Sequence, residues 1–394
     1  MKLTFPHMGP VHIGLTTIFR DLGVDVVAPP PITRRTVALG VKHSPEMACF
    51  PLKISVGNYL EARELGVDTI GMLGGVGPCR LGYYADVERE ILDGLGAGME
   101  MVVLDPPQGK PGRLLRAISR LTGGKPLRQV WRYIQFGWSK IVEVDRLDQE
   151  VPLARALEAE PGVTRAVRAQ AYRLIEEASS VAEARRAADL AVEALRSIPP
   201  RHGADVGPEG RPLTVGLVGE IYMLLEPAAN IDLEERLGQL GVVTLRALTV
   251  SDWVRLHLFP GPWKSRDGAM VHAAAKPYLN HFVGGEGVES VGQSILYKRM
   301  GLDGVVHVGP LTCMPEIVAA SVLPQVARDL DFPVMTLFLD EHSGEAGMQT
   351  RLEAFVDLLW RRRQRGTGPL VALGRQKGSP GRQLASGLGV SGDA

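Results

Sequence analysis

The sequence predicts an α/β protein of two Rossmann-like parallel-sheet domains joined by a helical connector. Three observations carry this reading. Short apolar runs end at Gly or Pro and lead into helical patterns; the runs fall into two sets; and a Gly-hydrophobe-Asp passage precedes one buried run in each set. The first set covers 3–8, 24–28, 69–73 and 99–104, and the second covers 213–218, 242–245, 304–308 and 333–339. Between them, 152–200 reads as helical, with Ala187, Leu190, Ala191, Ala194 and Leu195 on one face and a capping-box pattern from Ser180 to Glu183. The expected domains are 1–150, carrying Cys49 and Cys79, and 206–365, carrying Cys313, with the connector at 151–205. From 366 to 394 the chain is rich in Gly, Ser and Arg without an apolar period, the pattern of a disordered tail.

Length and charge narrow the function classes. A chain of 394 residues has room for two or three full cores. Its 44 Lys and Arg balance its 44 Asp and Glu, so no global field draws nucleic acid or an anionic membrane. No apolar run approaches the roughly 18–20 residues that span a bilayer, and the N-terminus leads into a strand-like run rather than a secretory signal. The expectation is a cytoplasmic protein with no membrane or nucleic-acid partner. Three cysteines are too few and too scattered for a disulfide framework, and a reducing cytoplasm keeps them as thiols.

The two halves echo each other around those thiols. Gly66-Val67-Asp68 and the run 69–73 continue to Gly77-Pro78-Cys79-Arg80; Gly301-Leu302-Asp303 and the run 304–308 continue to Gly309-Pro310 and Cys313. Such loops lie at the carboxyl ends of parallel strands, where open α/β sheets place their ligands. Cys49-Phe50-Pro51 and Cys313-Met314-Pro315 share Cys-x-Pro, which sets each cysteine just before a helix N-terminus, where free amides stabilise a thiolate. Three thiols in three loops suit an inorganic ligand at a domain interface, and thiolate-only ligation suits iron–sulfur chemistry. Zinc ordinarily takes a fourth protein ligand or a His, and no CxxC or HxxxH spacing occurs. Small buried structural thiols and a single nucleophilic cysteine remain the competing readings. Glu46, Glu220, Glu286, Glu289, Glu341 and His342 fall in or beside the candidate loops; Glu220, Glu286 and His342 are the candidate catalytic residues, for proton transfer or support of the site, against a plain helix-capping role.

Taken together, Phe5-Pro6-His7-Met8-Gly9, the stretch from Cys49 to Lys53 with Gly57-Asn58, Gly77-Pro78-Cys79-Arg80 with Gly82-Tyr83-Tyr84, Gly219-Glu220-Ile221-Tyr222, Gly309-Pro310 with Cys313-Met314-Pro315-Glu316, and Asp340 to Glu345 with Thr350 to Glu353 carry a resemblance. The chain resembles the activase-associated branch of the 2-hydroxyacyl-CoA dehydratase D-component and benzoyl-CoA reductase-like superfamily, often labelled CoA enzyme activase. The resemblance runs in order over about residues 3 to 360. It implies a [4Fe-4S] cluster held by Cys49, Cys79 and Cys313, and a separate ATP-dependent activase, carrying its own iron–sulfur cluster, that injects electrons. It also implies a homologous second subunit or a homodimer, and a reductase- or dehydratase-type reaction on an unknown substrate, with a CoA-linked one as a candidate; no residue of the sequence matches a CoA-binding set. A non-catalytic electron-transfer or scaffold subunit of such a system, or a cluster-free α/β binding protein, are the alternatives. Three cysteines leave one iron of a cubane without a thiolate, and Glu220, Glu286 or His342 are candidates for that place.

Two further features complete the reading. No P-loop occurs, since Gly109-Lys110 and Gly124-Lys125 are each followed by Pro, so ATP chemistry belongs to a partner. The pattern from Gly387 to Gly392 has the Gly spacing of a nucleotide loop but no helix after it. From Pro106 to Val142 there is no acidic residue, while Lys110, Arg113, Arg116, Arg120, Lys125, Arg128, Arg132 and Lys140 interleave with Trp131, Tyr133, Phe136 and Trp138. This segment reads either as a docking face for an acidic partner or CoA phosphates, or as a solvated amphipathic helical pair.

Overall fold

The computed structural model describes residues 1–74, 79–104, 111–201, 211–258 and 266–365. Gly77-Pro78, the start of the basic segment at 106–110, residues 202–205 of the connector, and the tail with its Gly387–Gly392 pattern lie outside these residues.

The first half runs β1 (Lys2–Thr4), α1 (Val11–Asp21), β2 (Asp25–Val26), α2 (Arg34–His43), α3 (Phe50–Glu64), β3 (Thr69–Leu73), α4 (Leu81–Gly94) and β4 (Glu100–Leu104). Five helices follow: α5 (Pro111–Leu121), α6 (Leu127–Asp148), α7 (Val151–Leu157), α8 (Val163–Glu177) and α9 (Val181–Arg196). The second half is β5 (Leu213–Gly219), α10 (Ile221–Leu225), α11 (Pro227–Asn230), α12 (Leu233–Gln239), β6 (Val242–Arg246), α13 (Val250–Leu258), α14 (Arg266–Ala275), α15 (Gly287–Arg299), β7 (Gly304–Pro310), α16 (Met314–Asp329), β8 (Val334–Leu339) and α17 (Glu345–Gln364). The fold is α/β with two parallel four-stranded sheets, ordered β2-β1-β3-β4 and β6-β5-β7-β8.

Strand order is therefore the same in both halves, and so are finer details. The carboxylate of Asp68, just before β3, accepts the backbone N–H of Lys2 at 2.8 Å; that of Asp303, just before β7, accepts the N–H of Thr214 at 2.8 Å. The Gly-hydrophobe-Asp passage thus pins the first strand of each sheet to the third. Each half also lays a tightly crossed helix pair before its third strand. A Cβ on Gly57 of α3 would stand 1.9 Å from the Thr36 carbonyl oxygen of α2, and one on Gly292 of α15 would stand 2.1 Å from the Val271 oxygen of α14. Only glycine allows backbones to meet so closely.

The helical region begins earlier than the connector expected from sequence. The second half of α6 already buries Val144 and Leu147 with Val151, Ala171, Ile175, Ala184, Ala188 and Leu195, so α6 to α9 form one layer. Ser180 caps α9 by accepting the N–H of Glu183 at 3.2 Å, while the Glu183 carboxylate accepts the N–H of Ser179 at 2.8 Å rather than that of Ser180 as a full capping box requires. This layer is tied to the second sheet by buried polar contacts. Asp145 accepts the N–H of Ser251 at 2.7 Å, and Asp148 accepts from Arg168, Tyr172 and Arg246 at 2.8, 2.7 and 3.3 Å. Both guanidinium groups hold the Asp148 carboxyl down at about 2 despite its burial.

The two halves share α3. Its Leu52, Val56 and Tyr59 pack in the first-half core, whereas Phe50 and Ile54 pack among Leu213, Val215, Val306 and Leu337 of the second. Lys53, on the same helix, forms a buried ion pair with Glu341 beyond β8. At Gly57 the clash is with the backbone of α2 at Thr36 and Gly40, which cannot yield as a side-chain tip could, so Gly57→Ala is expected to lower unfolding free energy by about 1–3 kcal/mol, read as a lower urea midpoint. An unchanged midpoint would contradict this account of the helix crossing.

Candidate functional site

Cys49 is the N-cap residue of α3 and Cys313 that of α16, each with proline in the first helical turn, as Cys-x-Pro predicts. Cys79 stands one residue before Arg80, the N-cap of α4. One carbonyl ties these three starts together. The Met47 oxygen, two residues before Cys49, accepts from Arg80 Nη1 at 3.1 Å and from Thr312 Oγ1 at 3.3 Å. Thr312 holds φ of 71°, an unusual conformation for a β-branched residue, immediately before Cys313. The loops after β3 and β7 and the start of α3 therefore converge at one place between the two sheets, where the thiols act on one another electrostatically.

Carboxyl groups surround that place. Glu220 caps α10, its two oxygens accepting the N–H groups of Tyr222 and Met223 at 3.0 Å each. Glu286 is the N-cap residue of α15 but makes no side-chain cap bond; its Oε1 accepts from Trp253 Nε1 at 3.2 Å. Glu316, in the first turn of α16, is fully buried; its Oε2 meets His307 Nε2 at 2.7 Å and Ser290 Oγ at 2.8 Å. Gly285 completes the wall, since a Cβ there would stand 3.2 Å from the Pro315 ring and 4.0 Å from Cys79 Sγ.

The electrostatics of this enclosure favour neutral forms. Burial, then the charge of Glu220, pushes the Cys49 thiol up to about 12 against the N–H of Leu52 and Arg80. Burial raises Cys79, with Glu286, Glu220 and Glu316 adding to it, and burial with Glu220 and Glu316 raises Cys313 well above the ordinary thiol range. Burial also lifts Glu220 to about 7 and holds Glu286 well above the usual carboxylate range, with neighbouring carboxylates adding repulsion. The helix N-termini that sequence reading credits with making thiolates are present, yet desolvation outweighs them in the metal-free protein. Among the described residues, no group of three His, Cys, Asp or Glu side chains stands where it could hold a single metal ion. A cubane spreads its donors over separate irons and asks for no such tight set.

The structure thus brings Cys49, Cys79, Cys313, Glu220 and Glu286 to one region. It does not bring His342 there: that side chain is exposed on a turn where Asp340 accepts its backbone N–H at 3.0 Å, and its neighbour Glu341 makes the buried contact. Glu46 is exposed, and Glu289 pairs with His272 at 2.8 Å. Sequence reading missed Glu316 and Trp253 as site residues. The spacing Cys313-x-x-Glu316, N-cap to third helical residue, is the signal that could have found Glu316.

No family model and no curated protein matches the chain.

The basic segment lies elsewhere. It forms α5 and α6, with Leu127 and Trp131 61% and 50% exposed beside exposed Arg128 and Arg132. Arg120 pairs with Glu100 at the start of β4, and Lys125 lies beside Gly23 at the approach to β2. Both markers sit at the amino ends of the strands, the edge opposite the cysteine loops. Lys140 is not on this face: it is buried, donating to the Glu176 carbonyl at 2.7 Å.

A carboxyl whose folded-state pKa is raised binds its proton more tightly in the folded protein. Its stabilisation is complete below the unfolded value and is lost as pH rises toward the folded one. For Glu220 the window runs from 4.5 to about 7. Glu220→Gln in metal-free protein is therefore expected to lessen the fall in stability between pH 5 and pH 8 by about 1–3 kcal/mol, measured by urea unfolding at each pH. Parallel curves for both proteins would count against a neutral Glu220.

Proposed function

We propose that the chain is a [4Fe-4S] protein, the reductase- or dehydratase-type component of a system in which a separate ATP-dependent activase supplies electrons, acting on a substrate that its residues do not identify, a CoA thioester being one candidate class. The observation that carries the reading is the convergence of the three segments that bear Cys49, Cys79 and Cys313, tied together where Arg80 and Thr312 donate to the Met47 carbonyl. The donor set fits the group. Thiols are the ligands such clusters select, they come from separate chain segments, and Gly285 leaves the wall beside Cys79 without a side chain. In this reading Cys49, Cys79 and Cys313 hold the cluster, which when bound supplies single electrons at low potential.

The chain's own residues do the remaining work. The N-termini of α3 and α16 direct their positive dipole ends at the thiols, favouring an anionic group there. Glu220, with a pKa of about 7, can hold or give up a proton close to working pH. Arg80 fixes its loop to that of Cys49. An electron-donating partner approaches the carboxyl ends of the strands, where the thiols lie, and not the basic face of α5 and α6.

Protein prepared without oxygen is expected to be brown and to contain iron and acid-labile sulfide in near-equal amounts. Cys49→Ala, Cys79→Ala and Cys313→Ala should each lose most of both, with helical content by circular dichroism retained. Colourless protein lacking iron and sulfide would overturn the reading in favour of structural thiols. Turnover with activase, ATP and reductant separates the catalytic component from an electron-transfer subunit. Reversing Arg116, Arg128 and Arg132 to Glu should leave ATP-dependent reduction within about twofold of wild type, because that face is remote from the thiols; a steep loss would place the docking surface on α6.

A further inference from the structure

Resting on the cluster reading, we propose that Glu286 is the fourth ligand of the cluster, its carboxylate occupying the place that Cys49 occupies in the first half. The repeat of the fold carries this assignment. In each sheet the third strand is preceded by a helix crossed closely over its neighbour, α3 over α2 and α15 over α14, with glycine against a facing carbonyl at each crossing: Gly40 and Gly57 in the first, Gly292 in the second. The N-cap of α3 is Cys49; the N-cap of α15 is Glu286. After the third strands come Cys79 and Cys313, again in matching positions. Two half-sites of two donors each thus face one space, giving three thiols and one carboxylate for four irons.

Contacts around Glu286 agree with that placement. The Gly285 position lies within reach of both Cys79 Sγ and the Pro315 ring, so the start of α15 is wedged between the Cys79 and Cys313 loops. A Cβ on Gly287 would stand 2.6 Å from the Pro315 oxygen, so the starts of α15 and α16 touch directly. Trp253 Nε1 fixes Oε1 of the partly buried side chain, the outer-shell support expected of a ligating carboxylate. Both oxygens of Glu220 are taken by helix amides. Glu316 is fully buried, with His307 and Ser290 on Oε2 and no hydrogen bond to Oε1, but it stands inside the first turn of α16, at no position that repeats Cys49. His342 is exposed on its turn. A hard oxygen ligand is also displaceable by an oxygen of a substrate, whereas a fourth thiolate would close the cluster.

Mössbauer spectra of anaerobic protein enriched in iron-57 test this. Wild type should show one iron distinct from the other three. Glu286→Cys, which restores the residue type of the matching position, should make the four irons alike and slow bleaching by oxygen about tenfold. Glu286→Gln should shift the distinct iron while the other three stay put. Wild-type protein grown on glutamate labelled with carbon-13 at the side-chain carboxyl should show a carbon-13 hyperfine coupling in the reduced state, lost in Glu286→Gln. If the cluster is present but that coupling is missing from wild type and the distinct iron is indifferent to both substitutions, Glu286 is not a ligand and the three-cysteine reading stands. If wild type carries no iron or sulfide, it is the cluster reading that falls.

Discussion

The shared helix α3 is the constraint on which the arrangement depends. Leu52, Val56 and Tyr59 bind it to the first core, and Phe50 and Ile54 bind it to the second, so neither sheet can shift against the other without exposing large side chains. Each such side chain is worth about 1.5–3 kcal/mol of burial. Because Cys49 opens this helix, its place relative to the loops after β3 and β7 is set by packing on both sides. The hydrogen bonds to Met47 then need only local adjustment to draw Cys79 and Cys313 to it.

Burial at this junction works against charge. Three thiols and the acids Glu220 and Glu286 occupy a space where desolvation and mutual repulsion all raise proton affinity. A group of buried acids and thiols contributes little to stability by itself, because desolvation costs as much as pairing returns. Away from the junction, Glu88 of α4 is fully buried with neither carboxyl oxygen hydrogen-bonded, and burial pushes its pKa well above the usual carboxylate range.

Much of the sheet architecture was legible in the chain because parallel strands buried on both faces leave short apolar runs between glycines. Thr69–Leu73 matches its predicted run, and the two Asp residues that pin strands to one another appear in the repeated passage that first suggested two similar halves. The start of the helical layer was not legible, because α6 carries exposed Trp131 in its first half and buried Val144 in its second, with no break between them. Cys-x-Pro located two helix starts correctly. The tie at Met47 had no sequence signal, since a backbone carbonyl looks alike everywhere. Equivalence of Cys49 and Glu286 was hidden as well: it is topological, and α13 and α14 fill the span before α15 where the first half has α2 alone before α3.

The ion pair between Lys53 and Glu341 joins residues 288 positions apart. During synthesis the first half is complete long before Glu341 leaves the ribosome, so Lys53 and the Phe50–Ile54 face of α3 must wait in water. Contacts of such long sequence separation form late and slowly, and an early-exposed apolar face invites association with other chains. The nascent first half is therefore an unfinished body until the last strand and its turn arrive. Cutting the gene between the two sheets would yield fragments that need each other to become soluble, rather than two independent domains.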